Sequence, residues 1–536
     1  MPPLHTDEQP YFLRSEAKME LLAYRWYAWP HLVSPVQHAM NVAFRHIPLL
    51  ESFLENPAMH AQACADPAML GGPFVDLPEE RAAAVRKLLR ETKVRGEKSI
   101  RLAKAWREIN ERLQKAGQGY SLDGEYCTLP PFLRGLVELV YDTNSHPKLR
   151  ILEELACQEE FADLVGQEVC LSLLRDEDRK FFLTTPRLES DDTLTLDMGF
   201  ADPKVDLLAA WRLQGVALAE MCSQLELPKE EAGRLERFLT REPPQRIEPE
   251  YRGAGVRVRH FGHACVLIQS VDGAVLIDPL PAWERDSQRG STLAFCDLPD
   301  RIDRVVFSHC HMDHCCPEVI VQLRRRVGEW IVPRNNCSEI ADPSMKLILK
   351  RLGCQNIRVL DPFDRVSLGD GEIVSLPFPG EHCGLDIASK QSVVVTKAGR
   401  TFVFLVDSDA VDSELYRRIA RFIGRADGLF IGMECYGAPL EWMYGPLLGK
   451  DVGRENGESR RGNASNCERA WHAIKHVDCD NIYVYAMGSE SWNRYLLGLE
   501  YSPDSVQITE SEKFMRLCRS AGKSAVRLTG CRDLHF

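Results

Sequence analysis

The chain has 536 residues and a formal net charge of −12 at pH 7, with 44% hydrophobic and 27% charged residues. This composition is typical of a globular protein with a sizeable core, and it excludes an intrinsically disordered chain. The acidic balance argues against a nucleic-acid-binding protein, because that function needs a cationic surface.

Cysteine usage and the first residues indicate the compartment. The 18 cysteines include no C-x-x-C pair, which excludes a zinc ribbon and a thioredoxin-type redox motif, so we expect reduced thiols. The first eight residues are polar and acidic and resemble no secretory signal. No apolar run approaches the roughly 18 residues of a membrane span. We therefore expect a cytoplasmic protein that binds no membrane and no nucleic acid.

The first 240 residues predict a mainly α-helical N-terminal domain. Residues 78–113 and 207–239 carry apolar side chains at spacings compatible with helices, and alternating strand patterns are few. Residues 241–250 then bring three prolines and alternating charges, which is typical of an extended linker. We place the first domain at 1–240 and the linker at 241–252.

From 253 to 536 short strands and helices alternate, which predicts an α/β domain. The predicted strands are 256–260, 265–269, 274–277, 302–307, 330–332, 357–360, 373–376, 392–396, 401–406, 428–431 and 482–486. The predicted helices are 318–326, 343–352, 413–423 and 467–475. The strands at 265–269 and 274–277 flank a tight turn and predict a hairpin.

The most informative stretch is 309–314, which reads His-Cys-His-Met-Asp-His directly after the predicted strand 302–307. Neutral imidazole and carboxylate are good ligands for zinc, iron or manganese. Three histidines and an aspartate in one short loop exceed what a single ion easily uses. The motif therefore predicts a site for two metals.

This motif at a strand end, in a chain of strand pairs and helices, resembles the metallo-β-lactamase fold. The resemblance implies an αβ/βα sandwich with metals at the edge of the sheets and further ligands from two later strand ends. Both positions have candidates: Glu381 lies in Pro-Gly-Glu-His at 379–382, and Asp407 lies where the fold has a bridging aspartate. His263, in Phe-Gly-His-Ala at 261–264, also matches a common sequence of the fold.

Two departures from that fold's pattern change the expected chemistry. Glu381 stands in place of the usual histidine, and neighbouring side chains of an extended segment point to opposite sides, so we choose Glu381 over His382 as the ligand. The late histidine ligand is missing, since 482–490 contains none. Such an oxygen-rich site with open positions favours iron and oxygen chemistry over hydrolysis by a closed zinc pair.

The combination, with about 240 residues in front, resembles the diiron β-hydroxylases of nonribosomal peptide biosynthesis, of the chloramphenicol-pathway type. The resemblance implies hydroxylation of the β-carbon of an amino acid held as a thioester on a carrier domain, with O2 and an external electron donor. It also implies a homodimer and an N-terminal domain for dimerisation or carrier docking. The metal ligands that it implies are His309, His311 and Glu381 on one iron, Asp313 and His314 on the other, and a bridging Asp407.

Two further residues are candidates for a role beside the metals. Glu434 lies at a predicted strand end, and His263 follows the first strand of the α/β domain. With Glu381 they form the expected catalytic set, although a plain structural role is an equal alternative for Glu434 and His263.

Three other functions compete with this interpretation. The main alternative is a dizinc hydrolase of the same fold, such as a lactonase or a phosphodiesterase. A flavodiiron protein is disfavoured because its motif has glutamate at the place of His311. A binding protein with a degenerate site is disfavoured by six intact ligand-type residues. The hydroxylated amino acid stays open.

Overall fold

A computed structural model of the chain describes residues 9–116, 119–158, 166–173, 181–283, 293–337, 339–450 and 452–536. An α+β N-terminal part is followed by a two-sheet sandwich. Among the described residues, no helix has the length and apolar character needed to cross a bilayer.

The N-terminal part contains a small antiparallel sheet that sequence analysis missed. This part has eight strands, which form that sheet and two separate pairs: β1 (Phe12–Leu13), β2 (Ala17–Ala23), β3 (Trp26–Tyr27), β4 (Val137–Tyr141), β5 (Pro147–Ile151), β6 (Gln167–Leu173), β7 (Thr193–Leu196) and β8 (Leu239–Thr240), within the described residues. The sheet has the order β3-β2-β6-β7, and every residue of β2 is buried. β1 pairs with β8, which brings the two ends of this part together.

Helices predominate around that sheet, as predicted. They are α1 (Pro30–Val33), α2 (Pro35–Asn41), α3 (Ile47–Glu55), α4 (Pro57–Ala65), α5 (Ala82–Arg95), α6 (Glu97–Ala116), α7 (Glu153–Ala156), α8 (Pro203–Ala210), α9 (Leu218–Leu225) and α10 (Ala232–Glu236). The long predicted helix at 78–113 is divided at Gly96. The one at 207–239 is interrupted twice, at residues 211–217 and again where Glu226 adopts a φ of 57°.

The second part is built on two seven-stranded sheets. Its strands are β9 (Arg257–Gly262), β10 (Cys265–Ser270), β11 (Gly273–Ile277), β12 (Ile302–Val306), β13 (Val327–Pro333), β14 (Ile357–Leu360), β15 (Arg365–Leu368), β16 (Gly371–Leu376), β17 (Ser392–Lys397), β18 (Arg400–Val406), β19 (Arg425–Ala426), β20 (Gly428–Gly432), β21 (Asp478–Cys479), β22 (Asn481–Tyr485), β23 (Ser524–Arg527) and β24 (Arg532–His535). The sheet orders are β14-β13-β12-β11-β10-β9-β24 and β15-β16-β17-β18-β20-β22-β23.

The helices of this part cover the outer faces of the two sheets or line the cavity described below. They are α11 (Pro317–Leu323), α12 (Met345–Arg351), α13 (Ser413–Ile423), α14 (Leu440–Tyr444), α15 (Arg454–Ser459), α16 (Cys467–Ile474), α17 (Arg494–Leu497) and α18 (Val506–Ser520). Those that line the cavity include α14 and α17. Val266 of the first sheet and Phe404 of the second belong to one core between the sheets. A second core joins β18 and β20 to α13, α16 and α18. This is the predicted αβ/βα sandwich of the metallo-β-lactamase type.

The N-terminal part packs on the outer face of the first sheet. Trp26 and Phe53 share a continuous core with Leu276 of β11, Val305 of β12 and Val319 of α11. Because β11 and β12 are parallel, as are β18 and β20, the carboxyl ends within each pair lie at one edge. Candidate functional residues lie in the segments that follow these strand ends, which is the usual place for such residues in parallel sheets.

Candidate metal centre

The loop after β12 carries four of the six predicted ligands. It runs from Ser308 to Cys316 and ends where Pro317 begins α11, a position at which the missing N–H of proline costs nothing. His309 and His314 are completely buried, and His311 is 8% exposed. The short connection between a core strand and a buried helix therefore fixes these side chains at the edge of the first sheet.

The first group of ligands consists of His309, His311 and Glu381. Nε2 of His309 lies 3.0 Å from Nδ1 of His311, and the same Nδ1 lies 3.1 Å from Oε1 of Glu381. Glu381 reaches this place from the segment after β16. Two ring nitrogens and a carboxylate oxygen thus point to one common position.

The second group lies on the other side of Asp407, which follows β18. Oδ2 of Asp407 is 2.9 Å from Nε2 of His314 and 3.9 Å from Nε2 of His309, so this carboxylate faces both groups. Oδ2 of Asp313 is 3.6 Å from Nε2 of His314. The structure therefore brings all six predicted ligands together in overlapping groups: His309 and Asp407 connect the first group to His314, and His263 lies with Asp313 and His314.

The donor set fits two metal ions. Oδ1 of Asp407 is buried and makes no hydrogen bond within the described ranges, which is costly unless a cation satisfies it. Nε2 of His314 faces the other oxygen of the same carboxylate at 2.9 Å. The set contains three imidazoles and three carboxylates, and oxygen-rich sites of this kind bind iron.

The protonation of the site is consistent with metal binding. Burial lowers the pKa of His309 well below its usual value, and the neighbouring histidines lower it further. Its imidazole is therefore neutral and has a free lone pair. Against the effect of burial, the carboxylates of Asp407 and Asp313 raise the pKa of His314 well above its usual value, because they concentrate negative charge where a cation would bind. Burial raises the pKa of Glu381.

Asp278, which follows β11, orients two of the histidines. Its Oδ2 lies 2.9 Å from Nδ1 of His314 and accepts a hydrogen bond of 2.6 Å from the Ser308 hydroxyl, which in turn lies 2.9 Å from Nδ1 of His309. A carboxylate at Nδ1 of His314 holds the ring proton there and leaves Nε2 free for a metal. Sequence analysis missed this residue, although an aspartate directly after a buried strand was a usable signal.

Glu381, and not His382, belongs to the first group of candidate ligands. Nδ1 of His382 lies 2.8 Å from the hydroxyl of Tyr444, and the same hydroxyl lies 3.2 Å from Nε2 of His311. Glu381 and His382 therefore face different partners, but strand alternation is not the reason, because residues 381–383 form a turn with positive φ. Tyr444, the last residue of α14, is a further contact that sequence analysis missed.

His263 contacts Asp313 and has a determined tautomer. The N–H of Gly488 donates to Nδ1 of His263 over 3.2 Å, so the ring proton of a neutral His263 lies on Nε2. This Nε2 is 3.1 Å from Oδ2 of Asp313 and donates to it. The main-chain N–H of His263 is held by Glu490. In this tautomer His263 orients Asp313 and does not itself offer a lone pair to a metal.

Glu434 lies in the wall of the cavity beside the ligands. Its Oε1 accepts hydrogen bonds from Gln507 over 2.8 Å and from Tyr501 over 3.3 Å. Burial, with the nearby charges of Glu381 and Asp407, raises the pKa of Glu434 to about 8. The carboxyl is therefore protonated at neutral pH, and the structure places it beside the metal centre without making it a ligand of either group.

A cavity of about 460 Å³ lies against the ligands. Both parts of the chain build it: Trp29 and Phe182 come from the N-terminal part, and Trp442 and Met443 come from α14. His311, Asp313, Glu381 and Asp407 form its metal side. A largely apolar chamber of this size suits an aromatic or aliphatic side chain and holds back water.

Comparisons with known proteins agree with this site. Residues 12–243 match a model described as the diiron non-heme beta-hydroxylase N-terminal domain, and residues 274–474 match the beta-lactamase superfamily domain. The chain is 32% identical, over 98% of its length and the whole of the relative, to 4-amino-L-phenylalanyl-[CmlP-peptidyl-carrier-protein] 3-hydroxylase of Streptomyces venezuelae.

The same likeness appears among solved structures. The crystal structure of CmlA, a diiron beta-hydroxylase from Streptomyces venezuelae, superposes with a TM-score of 0.91 at 32% identity, covering 98% of this chain and 100% of that one. A variant of CmlA gives a TM-score of 0.89 over the same shares. The chain therefore belongs to the family of diiron non-heme β-hydroxylases, whose cofactor is a pair of iron ions.

Proposed function

We propose that this enzyme is an O2-dependent monooxygenase that hydroxylates the β-carbon of an amino acid held as a thioester on the carrier domain of a nonribosomal peptide synthetase. The observation that carries the proposal is the convergence of six ligand-type side chains, four of which line one wall of a largely apolar cavity. Similarity over the full length to a hydroxylase named for a carrier-bound aminoacyl group supports the substrate class.

We assign one iron to His309, His311 and Glu381 and the other to Asp313 and His314, with Asp407 between them. The distances within each group, from 2.9 to 3.9 Å between donor atoms, support this division. When bound, the two irons supply the reduction of O2 and the attack on a C–H bond. A dizinc hydrolase, the main alternative, has no support from the full-length relatives.

The protein's own residues hold the site and position the substrate. Asp278 keeps the proton of His314 on Nδ1, and His263 orients Asp313 through its Nε2–H. Trp29 and Phe182 close the cavity from the N-terminal side and exclude water. Glu434 is protonated at neutral pH and holds its proton at the cavity wall, next to the place of reaction. Carrier-derived binding energy can then be used to position the β C–H bond.

We further propose where an acidic carrier binds. The sequence offers two clusters of arginines for this contact, at 324–326 and at 417–421. Arg324 is excluded, because its guanidinium is buried and bound to Asp206 and to three main-chain carbonyls. Arg326 is likewise held by the carbonyls of Leu298 and Pro299. On α13, Arg418 and Arg421 are exposed, and the exposed Arg417 beside them is paired with Glu414 over 2.7 Å; we propose this cationic surface for the carrier.

Several finer features belong to the same proposal. We place the domain boundary in the linker 241–252 and expect a homodimer with an external electron donor. We also expect a cytoplasmic location, which the eighteen free cysteines support, because reduced thiols persist in a reducing compartment.

The test combines iron analysis with mass spectrometry of the carrier. Reconstituted full-length protein should hold two irons per chain, and the reduced enzyme with oxygen should add one oxygen atom to an aromatic aminoacyl carrier. Free amino acid should be a poor substrate. Stoichiometric zinc with hydrolytic turnover and no oxygen incorporation after iron loading would refute the proposal, and equal turnover of free and tethered amino acid would remove the carrier from it.

A further inference from the structure

The hydroxyl of Tyr444 connects the metal loop to the segment that carries Glu381. It lies 3.2 Å from Nε2 of His311 and 2.8 Å from Nδ1 of His382, and all three residues are buried. His382 directly follows Glu381 in the chain. We propose that Tyr444 is a positioning residue for the iron held by His311 and Glu381, and not for the other iron. The inference rests on the ligand assignment given under the proposed function.

The arrangement of protons determines the direction of this chain of hydrogen bonds. Nδ1 of His311 faces His309 and Glu381, so a ligand at that position must carry its ring proton on Nε2. Nε2–H of His311 then donates to the oxygen of Tyr444, and the hydroxyl proton of Tyr444 is donated to Nδ1 of His382.

The two irons therefore differ in what supports their histidines. Asp278 contacts His314 directly and contacts His309 through Ser308. Tyr444, a neutral phenol, is the contact of His311 at Nε2. A carboxylate partner makes an imidazole more basic than a phenol partner does. The hydrogen bonds to His314 and to His311 therefore affect the two irons differently. Loss of the Tyr444 hydroxyl removes support from His311 alone.

The same hydroxyl acts on Glu381 through the backbone of its loop. Residues 380–384 all have positive φ, with values of 56° at Glu381, 40° at His382 and 57° at Cys383. This region is unfavourable for side chains other than glycine, and such a run persists only where contacts hold it. The bond from Tyr444 to His382 is one such contact. Lys390, which donates to the carbonyl of Gly380 over 2.6 Å, is another.

The experiment compares Tyr444→Phe with the unaltered, iron-loaded full-length enzyme. Mössbauer spectra of ⁵⁷Fe-loaded protein should show a changed signal for one of the two irons and an unchanged signal for the other. Under chelator challenge, half of the iron should leave about 10-fold faster or more, the usual scale for losing a contact to a ligand. Tyr24→Phe is the matched control, because it removes a buried hydroxyl bonded to the Arg95 carbonyl, away from the metals.

A second variant keeps the test decisive if Tyr444→Phe does not fold. His382→Ala removes the acceptor of the Tyr444 proton and should change the signal of the same iron. Unchanged spectra in both variants, or an equal change at both irons, would overturn the inference. Failure of the proposed function is separate, because it would appear in the unaltered enzyme as missing iron or as no oxygen gain on the carrier.

Discussion

Nδ1 of His314 lies 2.9 Å from Oδ2 of Asp278, and both side chains are completely buried. Asp278 also accepts hydrogen bonds from the main-chain N–H and the hydroxyl of Ser308. One carboxylate after β11 thus orients His314 directly and His309 through Ser308, two predicted ligands in the loop after β12.

We predict that Asp278→Asn weakens iron binding by about 10- to 100-fold. An amide can present an N–H₂ group to Nδ1 of His314, which would move the ring proton to Nε2 and block the metal position. Iron content after dialysis against a chelator measures the loss. Asp303→Asn is the control, since Asp303 accepts from the Ala274 N–H at the other end of β11. Full iron retention in Asp278→Asn would contradict the assigned role.

We predict that Glu381→Ala loses one iron and the oxygen chemistry, whereas His382→Ala keeps both irons and some turnover. Glu381 faces His311 at 3.1 Å, but His382 faces the hydroxyl of Tyr444. Neither residue contributes to a hydrophobic core between the sheets, so both variants should fold. Circular dichroism, iron analysis and single-turnover product yield measure the outcomes. Reversed effects would show that His382 is the ligand.

We predict that Gly462→Ala lowers turnover roughly 10- to 100-fold without unfolding the chain. A Cβ on Gly462 would lie 3.0 Å from Oε1 of Glu381 and 3.7 Å from Sδ of Met443, at the wall of the cavity. The backbone of Gly462 does not have a positive φ, so an alanine fits the chain itself. Gly449→Ala, where a Cβ meets nothing within 4 Å, is the control. Normal turnover of Gly462→Ala would show that the substrate and Glu381 do not need this space.

We predict that Glu153→Gln reduces the pH dependence of stability between about pH 4.5 and 7. Burial raises the pKa of Glu153 to about 7, against the N–H of Ser344 and the amide of Asn335, which lower it. Between pH 4.5 and 7 the folded chain therefore holds a proton that the unfolded chain has lost. The free energy of unfolding falls as pH rises through this window, by about 3 kcal/mol from this group.

Urea unfolding at pH 5, 6, 7 and 8 measures this dependence. The slope should be smaller in Glu153→Gln than in the unaltered chain, whereas the exposed Glu154→Gln should leave it unchanged. An identical slope in both variants would exclude Glu153 as its source.

Local patterns made much of the second part predictable from sequence. The strand at 357–360 and the helix at 413–423 agree residue for residue with the structure. The helix has clear local signals, with Asp412 as its N-cap and Gly424 after its last residue. The metal loop is an equally local pattern, since its four predicted ligands lie within six consecutive positions.

Features that depend on distant contacts were not predictable. β2 has the sequence AKMELLA, which favours a helix, but all seven residues are buried and pair along β6. Tertiary contacts therefore override the intrinsic preference. Tyr444 was missed for a similar reason, because it lies 133 residues from His311 and only the fold brings the two together. Asp278 lies 36 residues from His314, and its position directly after a buried strand was the one local signal for it.

The two parts of the chain contribute different kinds of residue to the shared cavity. Trp29 and Phe182 line the chamber from the N-terminal part, whereas every predicted iron ligand belongs to the sandwich. Substitutions at the first two positions change the shape of the chamber and leave all six predicted ligands in place. Relatives can therefore diversify their amino-acid substrates, and an engineer can redirect this enzyme, by varying a region in which no mutation removes an iron ligand.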